Sequence, residues 1–211
     1  EMELSKKLPG MSEDDQLALL STDGMLVKRP LLVGDDFVLT YVAEIIGNKN
    51  QAMLVDAFEI VRRSVPNAKL VLIGPEHDNG KLHRLVEHRG LQHDILFLGW
   101  RSDVPMLLHL ADVYAASSKS EGLGLNIVEA MACDIPVVAT NNRGHLEVVV
   151  HGENGFLVDI NDSKSMADYV LELYGDAELR EKLTRQAQLD IEPFRTESAM
   201  KELVEMVVRH A

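Results

Sequence analysis

Cysteine is nearly absent from this chain. Cys133 is the one cysteine in 211 residues, so no disulfide can form within the chain and a reducing compartment fits. It lies in an apolar, helix-like run, which reads as a buried, inert thiol rather than a nucleophile. Aromatics are also scarce, at 5% of residues against 46% hydrophobic, so the core must be aliphatic, and it is ample for an α/β layer structure. Positive charge is short. The 21 Lys and Arg against 34 Asp and Glu leave a formal charge of −13, which argues against nucleic-acid backbones and anionic membrane surfaces as partners. No run approaches the ~18 continuous apolar residues of a membrane-crossing helix, and the polar start is unlike a signal peptide. The chain opens on Glu1 rather than methionine, which reads as a fragment or processed form.

What is present centres on Ser120 to Thr140, where a glycine-rich loop runs into a short helix and then a strand. Gly122 and Gly124 permit close backbone approach or positive φ. The amides opening the following helix are unpaired, and the helix dipole favours an anion there. With a helix start near Leu125, Glu129 sits about one turn in, facing the loop that carries Glu121. Two acids that can grip hydroxyls beside a loop that can hold phosphates read as a sugar-nucleotide site. The plainer alternative is a loop-to-helix connection in which Glu129 complements the dipole.

From Phe37 onward the pattern is regular. Apolar strand-length runs fall at Phe37 to Ala43, Lys69 to Ile73, Ile95 to Leu98, Val113 to Ala116, Pro136 to Ala139 and Gly155 to Val158. Helical spacing falls between them at Gln51 to Arg63, Lys81 to Arg89 and Val104 to Leu110. Three more helical stretches close the chain, at Ser163 to Tyr174, Ala177 to Leu189 and Glu197 to His210. The alternation predicts an α/β fold, a doubly wound and mostly parallel sheet of about six strands. Ligands in such sheets bind beyond the carboxyl ends of the strands. Gly74, Gly99, Ser117-Ser118 and Thr140 all fall there, on the edge that would carry the opening loop.

Residues 1 to 36 read as an atypical N-terminal segment, and residues 37 to 211 as the main domain. In the first, Met11 to Thr22 suggests a short helix, and Gly24-Met-Leu-Val-Lys-Arg-Pro-Leu-Leu-Val an extended segment broken at Arg29-Pro30. This stretch resembles the C-terminal part of the arsenate-reductase-like (Spx-type) thioredoxin fold, without the half that carries the reactive cysteine. A fusion junction near Asp36, or a linker helix, is the expectation.

Three blocks in order carry a second resemblance: Glu121-Gly-Leu-Gly-Leu-Asn-Ile-Val-Glu-Ala-Met-Ala, Ile135-Pro-Val-Val-Ala-Thr, and Gly144-His-Leu-Glu-Val-Val-Val-His-Gly-Glu-Asn-Gly-Phe-Leu-Val. Together they resemble the donor-binding half of retaining glycosyltransferases of family 4, which have the two-domain GT-B fold. The Ala43-Glu-Ile-Ile-Gly-Asn-Lys-Asn-Gln segment is similar to members that build capsular or exopolysaccharides. The resemblance implies that Glu129 holds the ribose diol and Glu121 contacts the transferred sugar. It also implies that the amides of Gly124, Leu125 and Asn126 cradle the diphosphate beside Gly122, and that Lys49 binds the diphosphate. Lysine and helix dipole would stabilise the leaving group with no metal and no cofactor, a UDP-sugar being the substrate. The loops at Gly74-Pro75 and Trp100-Arg101 would take the base, although Trp100 reads equally as a core residue exposed at a sheet edge. The family carries an arginine where this chain has Ala43-Glu44, so Glu44 is expected to point away or to pair with a base.

Arg143, His145 and Glu147 lie near the ligand edge as weaker candidates. The histidines at 77, 83, 88 and 93 are not spaced as a metal site. The resemblance further implies a partner half that binds the acceptor, of roughly 150 residues, braced in the family by a last helix like Glu197 to His210. It implies a cytoplasmic protein, peripheral to the inner face of the membrane in its full-length form. Two alternatives stand beside it: an orphan or fused α/β module that binds nucleotide without transfer, and a sugar-nucleotide epimerase fragment.

Overall fold

The computed structural model describes Leu32 and residues 34–194. The expected thioredoxin-like segment and the expected helix from Glu197 lie almost wholly outside these residues. Six strands form one sheet: β1 (Phe37–Val42), β2 (Ala68–Ile73), β3 (Ile95–Phe97), β4 (Val113–Ala116), β5 (Val137–Thr140) and β6 (Phe156–Val158). Among the described residues seven helices accompany them: α1 (Gln51–Ser64), α2 (Lys81–His88), α3 (Val104–Leu108), α4 (Leu125–Ala132), α5 (Arg143–Leu146), α6 (Ser163–Gly175) and α7 (Ala177–Asp190). A 3-10 turn follows at Glu192–Phe194.

The sheet order is β3-β2-β1-β4-β5-β6, and every neighbouring pair is parallel. Parallel strands need crossovers and are covered on both faces, so they read as unbroken apolar runs. β4 and β5 are buried at every position, as are the first five residues of β1. The faces separate by strand alternation. Val38, Val71, Ile73 and Leu98 pack with Leu107 and Leu110 of the α3 region, while Leu39, Leu70 and Leu72 join the larger core with Leu54, Phe58 and Val61 of α1 and Met166 and Val170 of α6. Asp162 and Asp176 cap α6 and α7, accepting from the Ser165 and Leu179 amides at 2.9 Å each.

The expected fold class holds, and the element bounds agree to within a residue or two. Two short elements carry no periodicity and were not anticipated, α5 and the 3-10 turn. The chain order matters for function. From β1 the strands proceed outward to β3, then return to β4 and proceed the other way. The chain leaves β1 toward β2 and β4 toward β5, and such a switch point sets a crevice at the carboxyl ends of the two strands.

Candidate functional site

Two loops meet in that crevice. The loop after β1 is tied to the β2 end, with the Ala43 amide donating to Ile73 at 2.9 Å and Ile45 to Pro75 at 2.8 Å. Gly74 makes this possible. Its φ is +148°, and a Cβ there would lie 2.2 Å from the Ala43 carbonyl oxygen, so no side chain fits. The loop after β4 then closes on the β1 loop. Ser117 Oγ donates to the Lys49 carbonyl at 2.7 Å, and Asn48 Nδ2 donates to the Ser120 carbonyl at 2.9 Å. The Lys119 amide donates to the Asn48 carbonyl at 2.8 Å.

This juncture brings Lys49 and Glu121 together, with Nζ 2.6 Å from Oε1. Ser118 Oγ donates to the same Oε1, also at 2.6 Å. Among the described residues, no donor reaches Oε2. Behind Ser118 stands Tyr41, its hydroxyl 2.6 Å from Ser118 Oγ. Burial pushes the Tyr41 phenol above its ordinary value, and burial raises Tyr114 beside it as well, so both stay protonated.

α4 begins at Leu125, as expected. Neither Gly122 nor Gly124 has a positive φ, and a Cβ on Gly124 would lie 3.4 Å from the Gly144 carbonyl oxygen, an ordinary contact. The Gly124 amide donates to the Gly144 carbonyl at 3.2 Å and the Leu125 amide to Leu123 at 2.8 Å, so two of the three amides expected to face a ligand have carbonyl partners here. Gly122 faces open space. Asn126 turns its side-chain amide to the Val42 carbonyl at 3.2 Å, tying α4 to β1. Glu129 is exposed and close enough to Tyr114 for its charge to be felt there. It makes no hydrogen bond or ion pair with the described residues.

Gly144 closes the loop from below. A Cβ on it would lie 2.7 Å from both Cβ and the carbonyl oxygen of Glu121, so α5 presses directly against Glu121. Asn142 caps α5, its Oδ1 accepting the His145 amide at 3.1 Å. His145 is fully buried. Its Nδ1 lies 2.7 Å from the Thr140 carbonyl oxygen and 2.9 Å from Asn142 Nδ2. Nε2 is buried without a partner among the described residues. Burial holds this imidazole below its ordinary value, although the Thr140 carbonyl and Glu121 oppose the effect. Asn142 Nδ2 and Thr140 Oγ1 both donate to the Ser118 carbonyl, the former at 2.9 Å. The sequence reading left His145 a weak candidate and gave Tyr41 and Asn142 no role. The polar pair Ser117-Ser118 at a buried strand end was the one signal of this network.

The remaining candidates disperse. Trp100 is 73% exposed, just after the edge strand β3. Arg101 forms a fork with Asp103, Nε to Oδ1 at 2.8 Å and Nη2 to Oδ2 at 2.7 Å, so its guanidinium is engaged within its own loop. Glu44 is exposed, with only its carbonyl bonded, to Gln51 Nε2 at 2.8 Å; its carboxylate pairs with no base among the described residues. Arg143 and Glu147 are exposed. Cys133 is half-buried rather than buried, and burial raises its thiol above the ordinary value. His83 stacks on Phe97, with centroids 3.8 Å apart, and bonds Glu76 at 2.9 Å. A cavity of about 500 Å³ flanks the site, lined by Ile45, Asn50, His77, Lys81, Leu82 and Lys119, and includes neither Glu121 nor Glu129.

Comparison with known proteins agrees with this fold. The family model described as "Glycosyl transferases group 1" matches residues 26–190. The glycosyltransferase EpsD of Bacillus subtilis is 38% identical over 172 residues, covering 82% of this chain and 45% of EpsD. The capsular polysaccharide biosynthesis glycosyltransferase CapM of Staphylococcus aureus is 30% identical over 185 residues, 83% of this chain and 47% of CapM. The chain thus spans about half the length of these curated relatives. Among solved structures, Anabaena HepE in complex with UDP and glucose superposes with a TM-score of 0.76 at 28% identity, covering 83% of this chain and 49% of HepE.

Proposed function

The chain belongs to the group 1 glycosyl transferases, and from that premise we propose that it is the donor-binding half of a retaining, family 4-type enzyme that takes a nucleotide-sugar, with UDP-sugars the first class to test. The observation that carries the proposal is the Glu121 carboxylate. Oε1 is held by Lys49 and Ser118 at 2.6 Å each, and Oε2 is left to accept a hydroxyl from a ligand above the glycine loop. A charged acceptor of this kind contributes roughly 1.5–3 kcal/mol per hydrogen bond.

In this reading Glu129, exposed on α4, takes the ribose diol. Lys49 serves both the Glu121 carboxylate and the diphosphate, and the first turn of α4 adds its dipole. Negative charge developing on the departing diphosphate is then met by a lysine and a helix end, with no metal in the scheme. The base lies against the loops at Gly74 and Trp100, where an exposed indole can offer an apolar face. Arg101 contributes backbone there, since Asp103 engages its guanidinium. The acceptor binds to residues outside this chain, in the half of the relatives' length that it does not span, and the chain alone transfers sugar weakly or not at all. Kinship with CapM favours a surface polysaccharide as product, made at the cytoplasmic side.

Calorimetry with UDP, GDP and ADP tests the proposal directly. Binding of one nucleoside diphosphate, UDP first, is the expected result. Failure of all three at millimolar concentration removes the site assignment.

A further inference from the structure

Glu121 ends a hydrogen-bonded series that begins inside the sheet. Tyr41, in β1, is 1% exposed, and Ser118, just after β4, is fully buried. Their hydroxyl oxygens are 2.6 Å apart, and Ser118 Oγ is 2.6 Å from Glu121 Oε1. Counting protons sets the direction. An ionised carboxylate only accepts, so the single Ser118 proton goes to Glu121. The proton between the two hydroxyls must then come from Tyr41. Ser118 is fixed from its other side as well, because Thr140 Oγ1 and Asn142 Nδ2 both donate to its carbonyl.

Lys49 cannot do this work alone. An ammonium on a four-carbon stem is a rotatable point charge and leaves the plane of a carboxylate undefined. A hydroxyl whose own orientation is dictated by a second, buried hydroxyl defines that plane. We propose that Tyr41 and Ser118 are positioning residues acting in series on Glu121, turning its carboxylate so that Oε1 faces protein donors and Oε2 faces a hydroxyl of the donor sugar. The proposal rests on the donor-site reading above. It assigns discrimination between a nucleotide and a nucleotide-sugar to two residues that touch neither.

The test is the ratio of UDP-glucose affinity to UDP affinity, by calorimetry on this chain. Tyr41→Phe keeps the ring and its edge contact with Tyr114. It is expected to lower the ratio roughly three- to tenfold while UDP affinity moves by less than about twofold, as is Ser118→Ala. In series, the double variant loses no more than Ser118→Ala alone, whereas independent residues multiply their losses. A ratio unchanged by Tyr41→Phe, or a double loss equal to the product, overturns the proposal.

A second measurement needs no substitution. The buried hydroxyl protons of Tyr41 and Ser118, followed by proton NMR in the unaltered chain, are expected to shift with UDP-glucose and not with UDP. No shift at saturating UDP-glucose overturns the series while leaving the donor site standing. No binding of either ligand sinks both.

Discussion

Lys49 and Glu121 stand 72 residues apart in sequence and 2.6 Å apart in space. Their side chains are 20% and 14% exposed, so the pair is shielded but reachable. It joins the loop after β1 to the loop after β4, across the point where strand order reverses. Here an acid and a base compensate each other in a chain of charge −13.

Removing the base unbalances the crevice. Lys49→Met leaves Glu121 uncompensated where the diphosphate is proposed to lie, and UDP affinity is expected to fall about 10- to 100-fold. Glu121→Gln acts in the opposite sense: it releases Lys49, so UDP affinity holds or rises while the gain from the attached glucose disappears. Calorimetry at two salt concentrations checks both, because only the charge contribution weakens with salt.

Glu129→Gln separates ligand binding from helix electrostatics. Loss of two diol bonds predicts roughly one to two decades of UDP affinity at ~1.4 kcal/mol per decade. Pyrophosphate, which has no diol, is expected to bind the variant as it binds the unaltered chain. Equal UDP affinity in the two proteins leaves Glu129 with its dipole role alone.

Gly144→Ala tests the seat of Glu121. The new methyl would meet Glu121 backbone at 2.7 Å, which only a shift of the loop or of α5 can relieve. Overpacking of this kind costs about 1–3 kcal/mol, read as a lower urea midpoint, and the displaced carboxylate is expected to weaken UDP-glucose more than UDP. A variant with the unaltered midpoint means that α5 moves freely, and the close contact is then incidental.

The buried imidazole predicts a pH dependence. His145 is held below its ordinary value of 6.5 mainly by burial, so between pH 6.5 and its lower folded value the unfolded chain binds more protons than the folded one. The stability that goes with the neutral imidazole is complete above 6.5 and is lost progressively as pH falls below it. Urea unfolding between pH 5 and 8 should show that slope, and His145→Phe should flatten it. An unchanged slope in the variant assigns the dependence to other groups.

Much of the fold was legible in the sequence because parallel strands, buried on both faces, leave unbroken apolar runs. Phe37–Val42, Val113–Ala116 and Val137–Thr140 could be read at sight, and helical spacing located α1, α6 and α7 between them. α5 left no such mark. Its four residues contain Gly144 and owe their helical turn to a single Asn142 cap and to packing beneath Glu121.

The residues of the candidate site were legible as types. Glu121 and Glu129 stood out as an acid pair beside a glycine loop, and the family resemblance added Lys49. Their mutual arrangement was not, since a sequence does not state which loops touch. The pairing of Lys49 with Glu121 follows from the sheet order, which sets β4 beside β1. The engagement of Arg101 by Asp103, and of the Gly124 amide by the Gly144 carbonyl, are likewise contacts made only after folding.

What the sequence determined by itself was therefore local and periodic: which segments become strands and helices, and that they wind into one parallel sheet. The tertiary structure decided the rest. It gave Gly122 and Gly124 no left-handed backbone, brought Tyr41 and Ser118 in line with one carboxylate, and left Oε2 of Glu121 without a protein donor among the described residues. Hydrophobic periodicity is written along the chain one turn at a time. The direction of a hydrogen bond between residues 77 apart, such as Tyr41 and Ser118, exists only once the strands that carry them lie side by side.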